Sequence, residues 1–130
     1  MLTITIDRGL EEPVYVQVAD QVRRLIVSGD LAAGATLPSV RRLAGDLGVN
    51  LNTIARAYRL LEDEGFLAIR DRSGVTVAAP AEEVEGSKHK KLLEELRRAL
   101  ARLRQAGMTT DELSGIVERE VLALGGGTED

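Results

Sequence analysis

The sequence contains no cysteine, no tryptophan and a single histidine. Without cysteine there are no disulfides, no thiolate metal ligands and no thiol nucleophile, and a lone His89 cannot build a histidine-rich metal site. No Ser/His/Asp constellation offers itself for nucleophilic or acid–base work, so neither an enzyme nor a cofactor is expected. Aromatic residues make up 2% of the chain, with Tyr15, Tyr58 and Phe66 the whole set. Stacking platforms for unpaired bases are therefore scarce, whereas reading a duplex through hydrogen bonds loses little. Long apolar runs are missing as well: no stretch approaches the roughly 20 residues of a membrane span. The start, MLTITIDRGLEEP, lacks the charged and apolar regions of a signal peptide. The cytoplasm is the expected compartment.

What is present suffices for a folded protein. Apolar residues are 44% of the 130 and charged residues 29%, enough to bury a core and unlike a disordered chain. The length fits one ordinary domain, or a small domain with a helical appendix. A net charge of −4 argues against nonspecific binding to polyanions. Its distribution says more, because residues 1–80 hold nine arginines, no lysine and ten acids. Every cation there is a planar fork able to grip a phosphate or a guanine edge at two points.

Periodicity divides the chain. Leu2–Asp7 alternates apolar with polar residues as a half-buried strand does. After Pro13, Val14, Val18, Val22, Leu25 and Ile26 share one helix face, which Gly29 closes. Leu31–Thr36 reads as a loop. Ser39 then caps a short helix striped by Val40, Leu43, Ala44 and Leu47, and Gly48 ends it. Asn50 caps a third helix whose apolar positions are Ile54, Ala57, Tyr58 and Leu61. Two helices meeting across Gly48-Val49-Asn50 have helix-turn-helix spacing. Gly65 closes the third helix, and Phe66–Arg70 with Val75–Ala79 can pair as a hairpin, or wing, around residues 71–74.

Residues 81–86 read as a linker. Leu92, Leu93, Leu96, Leu100 and Leu103 then line a helix that Gly107 ends. Thr109 and Glu112 form a capping box for a last helix with Leu113, Ile116, Val117, Val121 and Leu124 on its stripe. The fold class predicted is mainly α with a small β-wing. It comprises a winged helix-turn-helix over 1–80, a linker over 81–86, a two-helix dimerisation segment over 87–124 and a disordered tail over 125–130. Leu92, Leu96, Leu100, Leu103, Leu113, Ile116, Val117 and Val121 are the dimerisation candidates, since about 40 residues give too little surface to bury both stripes.

The candidate DNA contacts follow from helix rotation. On the third helix Asn52, Arg56 and Arg59 fall opposite the buried stripe, with Asp63 at the far end. A recognition helix enters the major groove by its N-terminal part, where asparagine can pair with adenine and arginine with guanine. Asn50, Asn52 and Thr53 sit there, and the positive end of the helix dipole favours phosphate beside them. Ser39 and Arg41 stand at the start of the second helix; Arg72 and Gly74 belong to the wing.

These residues carry a resemblance. The pattern Gly29-Asp30-Leu31, Leu37-Pro38-Ser39-Val40-Arg41-Arg42-Leu43-Ala44, Leu47-Gly48-Val49-Asn50, Asn52-Thr53-Ile54, Arg56-Ala57-Tyr58, Leu61-Glu62 and Gly65 resembles the DNA-binding domain of the GntR family of bacterial transcription regulators. It covers about residues 10–80. The entry Pro13-Val14-Tyr15-Val16-Gln17, with Asn50-Leu51-Asn52-Thr53, is similar to the YtrA subfamily, whose members end in two short helices. The resemblance implies a homodimer on a two-fold operator in double-stranded DNA, with Arg41 contacting DNA, Asn50, Asn52 and Thr53 reading it, and the wing entering the minor groove. It further implies a repressor of a neighbouring ABC transporter operon. Three positions depart from the family. Ala55 stands where other subfamilies place a DNA-contacting arginine, Arg72 replaces the first wing glycine and implies a charge-based contact there, and Ala33 replaces a proline before Gly34.

The family branch with a pyridoxal-phosphate transaminase-like domain needs a length this chain lacks. The alternative is a winged-helix adaptor that binds protein instead of DNA, to which the acidic balance gives weight; the exposed Arg41, Asn52 and Arg56 discriminate, since only a regulator uses them in salt-dependent DNA binding. The last 50 residues are too few to enclose a pocket of ~300–1,000 Å³ in one subunit, which leaves an inter-subunit cleft for any small-molecule effector.

Overall fold

The computed structural model describes residues 2–70, 74–79 and 86–125, with side chains omitted at 86–89 and 125. The chain falls into two compact units, Met1–Pro80 and Ala81–Asp130. In the first, the elements run α1 (Val14–Val27), β1 (Thr36–Leu37), α2 (Val40–Leu47), α3 (Leu51–Asp63), β2 (Leu67–Arg70) and β3 (Gly74–Val77). Pro13 at φ −58° leads into α1 with its ring already at helical φ. The stripe from Val14 then buries Val18, Ala19 and Val22.

The wing hairpin forms as the sequence predicts, and a third strand joins it. Residues 36–37 lie in the segment read as loop and its edge, yet Thr36 pairs with Thr76 and Leu37 with Val75, giving an antiparallel sheet ordered β1-β3-β2. On the other side β3 pairs with β2 from Leu67↔Val77 to Arg70↔Gly74. Leu37, Leu67, Val75 and Val77 point from the sheet into the core that Val18, Val22, Ile54, Tyr58 and Leu61 build between α1 and α3.

The segment Leu2–Asp7, read as a strand, is not one. Its alternation is real, since Ile4 is buried and Thr3 and Thr5 are exposed, but its backbone pairs with side-chain amides. Thr5 N–H donates to Gln21 Oε1 at 2.9 Å and Gln21 Nε2 returns a bond to the Thr5 carbonyl at 2.6 Å. Asp7 N–H donates to Gln17 Oε1 at 2.9 Å, while Gln17 Nε2 donates to the carbonyls of Asp7 and Glu12, both at 3.0 Å. Two glutamines one turn apart on α1 thus supply the donors and acceptors of a missing neighbour strand, and Gln17 is buried with its amide satisfied.

The second unit is a helical hairpin of α4 (Gly86–Gln105) and α5 (Thr110–Gly125). Gly107 turns between them at φ 110°. The capping box is reciprocal: Glu112 N–H donates to Thr109 Oγ1 at 3.1 Å and Thr109 N–H to Glu112 Oε1 at 2.8 Å. Gly125 ends α5 and is not the first residue of a tail. The rest of the predicted tail, most of the predicted linker and the wing tip 71–73 lie outside the described residues.

Tyr58 closes the core. It is fully buried, and its hydroxyl donates to the Pro38 carbonyl at 2.8 Å. Burial pushes its pKa above the ordinary 10.0, so the phenol stays a donor through neutral pH. Tyr58→Phe is expected to cost about 1 kcal/mol and Tyr58→Ala about 3–5 kcal/mol in urea denaturation. Because the folded value is raised, the stability linked to this proton is complete below pH 10.0 and is lost as pH climbs above it. The same titration of Tyr58→Phe should lack that alkaline component.

Candidate nucleic-acid interface

The helix-turn-helix is assembled from local caps. Ser39 Oγ accepts from Arg42 N–H at 3.1 Å and starts α2. Gly48 ends it at φ 68°, ψ 36°, a left-handed conformation that a side chain would strain. Two residues later Asn50 Oδ1 accepts from Asn52 N–H at 2.7 Å and opens α3. The turn between the helices is therefore held at both ends, and Arg8 Nη2 adds a bond to the Gly48 carbonyl at 3.3 Å.

α3 buries Ile54, Ala57, Tyr58 and Leu61. That rotation leaves Asn50, Asn52, Arg56, Arg59 and Asp63 exposed, with Thr53 half-buried beside them. Ser39 and Arg41 are exposed on the first turn of α2. Packing of α2 against α3 and the Tyr58–Pro38 bond set the start of α2 against the middle of α3. Asn50, Asn52 and Thr53 lie together at the turn, while Ser39 and Arg41 lie at the other end of α2. Gly74 stands on the wing, in the strand pair nearest its tip, at φ 89° opposite Arg70, and Arg72 lies outside the described residues.

Charge pairing is uneven around α3. Arg23 on α1 bonds Asp20 and Glu64, each at 2.7 Å, beside the C-terminal end of α3. Among the described residues Arg41, Arg56 and Arg59 have no carboxylate partner. Arg42 has only Asp46 at 3.9 Å, an exposed contact of little energetic weight. Arg59 and Asp63, four residues apart on α3, are not among the ion pairs of the described residues. The acids that neutralise the unit's charge are in part occupied away from the N-terminal end of α3, which keeps its cations and its helix-dipole charge available to an anion.

Arg56 has a neighbour that its sequence reading did not supply. Arg56 sits on the exposed face of α3, but its guanidinium lies over the Tyr15 ring, 3.9 Å from the centroid. Tyr15 and Arg8 were missed as neighbours of this surface; both belong to elements that local periodicity treats as separate from the helix-turn-helix.

The dimerisation candidates occupy the second unit. Leu92, Leu96, Leu103, Val117 and Val121 are exposed, Leu100 and Ile116 half-buried, and Leu113 is already buried within the chain. Leu122, off the predicted stripe, is the most exposed large apolar residue among those described, at 70%. No described helix is long and apolar enough to cross a membrane, and among the described residues no cluster of acids and histidine could hold a metal.

The sequence profile of the bacterial regulatory proteins of the gntR family matches residues 14–77. The HTH-type transcriptional repressor YtrA of Bacillus subtilis is 33% identical over 112 residues, which are 85% of this chain and 85% of that protein. The structure of YtrA from Sulfolobus acidocaldarius, a GntR-family transcription factor, superposes with a TM-score of 0.60 at 40% identity, covering 75% of this chain and 97% of that one. The DNA-binding domain of AraR in complex with operator ORX1 superposes with a TM-score of 0.53 at 26% identity, covering 59% of this chain and 96% of that one.

The two asparagines are separable by stability. Asn50→Ala removes a helix cap and is expected to cost about 1 kcal/mol, whereas Asn52→Ala, exposed and free of such a bond, should stay within about 0.5 kcal/mol of the parent in urea denaturation. Equal losses would show that Asn52 has a structural role absent from this geometry.

Proposed function

The chain belongs to the GntR family of bacterial regulatory proteins, in its YtrA-like branch, and on that premise we propose that it is a dimeric, sequence-specific repressor that reads a pseudo-palindromic operator in duplex DNA. The family is one of transcription regulators, not of enzymes. The observation that carries the proposal is the doubly capped turn, which presents Asn50, Asn52 and Thr53 at the start of α3 with Arg41 on the first turn of α2.

Seated in a major groove, Asn52 can accept from and donate to an adenine edge, and Thr53 can contact a base or methyl group at its side. Arg41 holds phosphate or a base from α2. Asn50 spends its side-chain oxygen on the cap, so its share in binding is to aim the α3 N-terminus, where dipole and backbone favour a phosphate. Arg72 and Gly74 carry the wing contact, through charge more than through a close glycine backbone.

Dimerisation rests on the helical hairpin. Leu92, Leu96, Leu103 and Val121 form an apolar surface that a monomer leaves in water, and a second copy offers the matching one. Two recognition helices about 34–36 Å apart would then read two half-sites. A small-molecule effector, where one acts, would sit between the subunits. Such a regulator works in the cytoplasm, beside the DNA it binds.

Two measurements test this reading. Fluorescence anisotropy with duplex DNA should show affinity falling steeply with salt, and Arg41→Ala should flatten the slope of log affinity against log salt by about one; a salt-independent or absent signal speaks for a protein adaptor. Sedimentation velocity at micromolar concentration should find a dimer that Leu96→Glu converts to monomer, and a monomeric parent would remove the two-fold operator from the account.

A further inference from the structure

Arg56 and Tyr15 meet across two helices that run in the same sense. Near their beginnings the Arg56 guanidinium stacks on the Tyr15 ring at 3.9 Å, and near their ends Arg23 bonds Glu64 at 2.7 Å. The stack draws the Arg56 head sideways, toward α1 and away from the line along which Asn52, one turn earlier on the same face, points outward. The contact occupies the face of the Tyr15 ring and ties up none of the guanidinium N–H groups. The edge N–H groups remain free: among the described residues Arg56 makes no hydrogen bond and no ion pair, and its side chain is exposed. Tyr15 is half-buried against the core, which holds the ring still.

We propose that Arg56 is a phosphate clamp on the flank of the recognition helix, not a base reader, and that Tyr15 is the residue that positions it before DNA arrives. The proposal rests on the duplex-binding reading above. A helix in the major groove is bordered on both sides by sugar-phosphate backbone, and a group displaced toward a neighbouring helix faces that border, not the base edges. The guanidinium edge suits a phosphate, which it can meet with two parallel hydrogen bonds. Arginine has a long, rotamer-rich side chain, and confining it on association costs affinity. A ring that confines it in the free protein removes part of that cost, which makes Tyr15 a determinant of affinity without touching DNA.

The test is a double-mutant cycle in the full-length protein, read by anisotropy over a salt series. The probes are a labelled duplex selected from a random library and a random-sequence duplex of the same length. Arg56→Ala should weaken both duplexes by the same factor, leave their ratio unchanged and flatten the salt slope by about one. Tyr15→Phe, which keeps the ring, should bind like the parent. Tyr15→Leu should lose about three- to ten-fold with the slope unchanged, and should lose nothing further when Arg56 is already alanine. A loss from Tyr15→Leu that is equal with and without Arg56 would mean that Tyr15 is structural only. A changed ratio between duplexes in Arg56→Ala would make Arg56 a base reader. An independent measurement needs no variant: in the free protein the Arg56 side-chain protons should show ring-current shifts in the NMR spectrum, and unshifted positions overturn the stack. Should the parent bind neither duplex, the regulator reading fails, and the NMR result still decides the Tyr15–Arg56 contact.

Discussion

The hydrogen bond from Tyr58 to the carbonyl of Pro38 is the constraint on which the arrangement of the first unit turns. Tyr58 lies on the face of α3 that the core covers completely, so its ring cannot move without opening a cavity. Its hydroxyl needs a partner there, and the carbonyl one residue before the Ser39 cap supplies it. A contact deep in the core therefore fixes where α2 begins relative to α3. The candidate contacts inherit their relative position from that junction: Arg41 on one helix, Asn52 and Thr53 on the other. Gly48 and Asn50 tighten the connection locally, but caps alone set how a helix starts or stops, not how two helices sit together.

α1 serves this junction from the opposite side of the core. Its Val18 and Val22 share one core with Ile54 and Leu61 of α3, and its polar residues do three separate jobs. Gln17 and Gln21 hold the incoming chain, Arg23 ties the far end of α3 through Glu64, and Tyr15 lies under Arg56 near the start. A sequence with so few aromatics places one ring inside the core and another beneath a recognition-helix cation. The helical hairpin is organised differently: it carries its large apolar residues outward, and Leu113 is the one such residue buried among those described there.

Most of the helical framework was legible from residues because its signals are local. The stripes of α1 to α5, the caps at Ser39, Asn50 and Thr109, and the glycines that end helices all follow from a few neighbouring side chains. What could not be read depends on partners distant in the chain. β1 is two residues long and exists only because Val75 and Thr76 pair with it. Leu2–Asp7 alternates as a strand would, but only the fold shows that glutamine amides take the place of a strand. Arg56 was correctly placed on the exposed face by helix geometry, while the direction of its head comes from Tyr15 on another helix. Likewise Leu113 shares the stripe of its neighbours in sequence, and tertiary packing alone sets it apart from them.

The central claim is that the exposed start of α3 reads base sequence in duplex DNA. Selection of binding sites from a random duplex library with the full-length protein tests it most directly. The account predicts an enriched inverted repeat whose half-sites lie about 10 base pairs apart, centre to centre. Recovered sequences no less random than the starting library would contradict it.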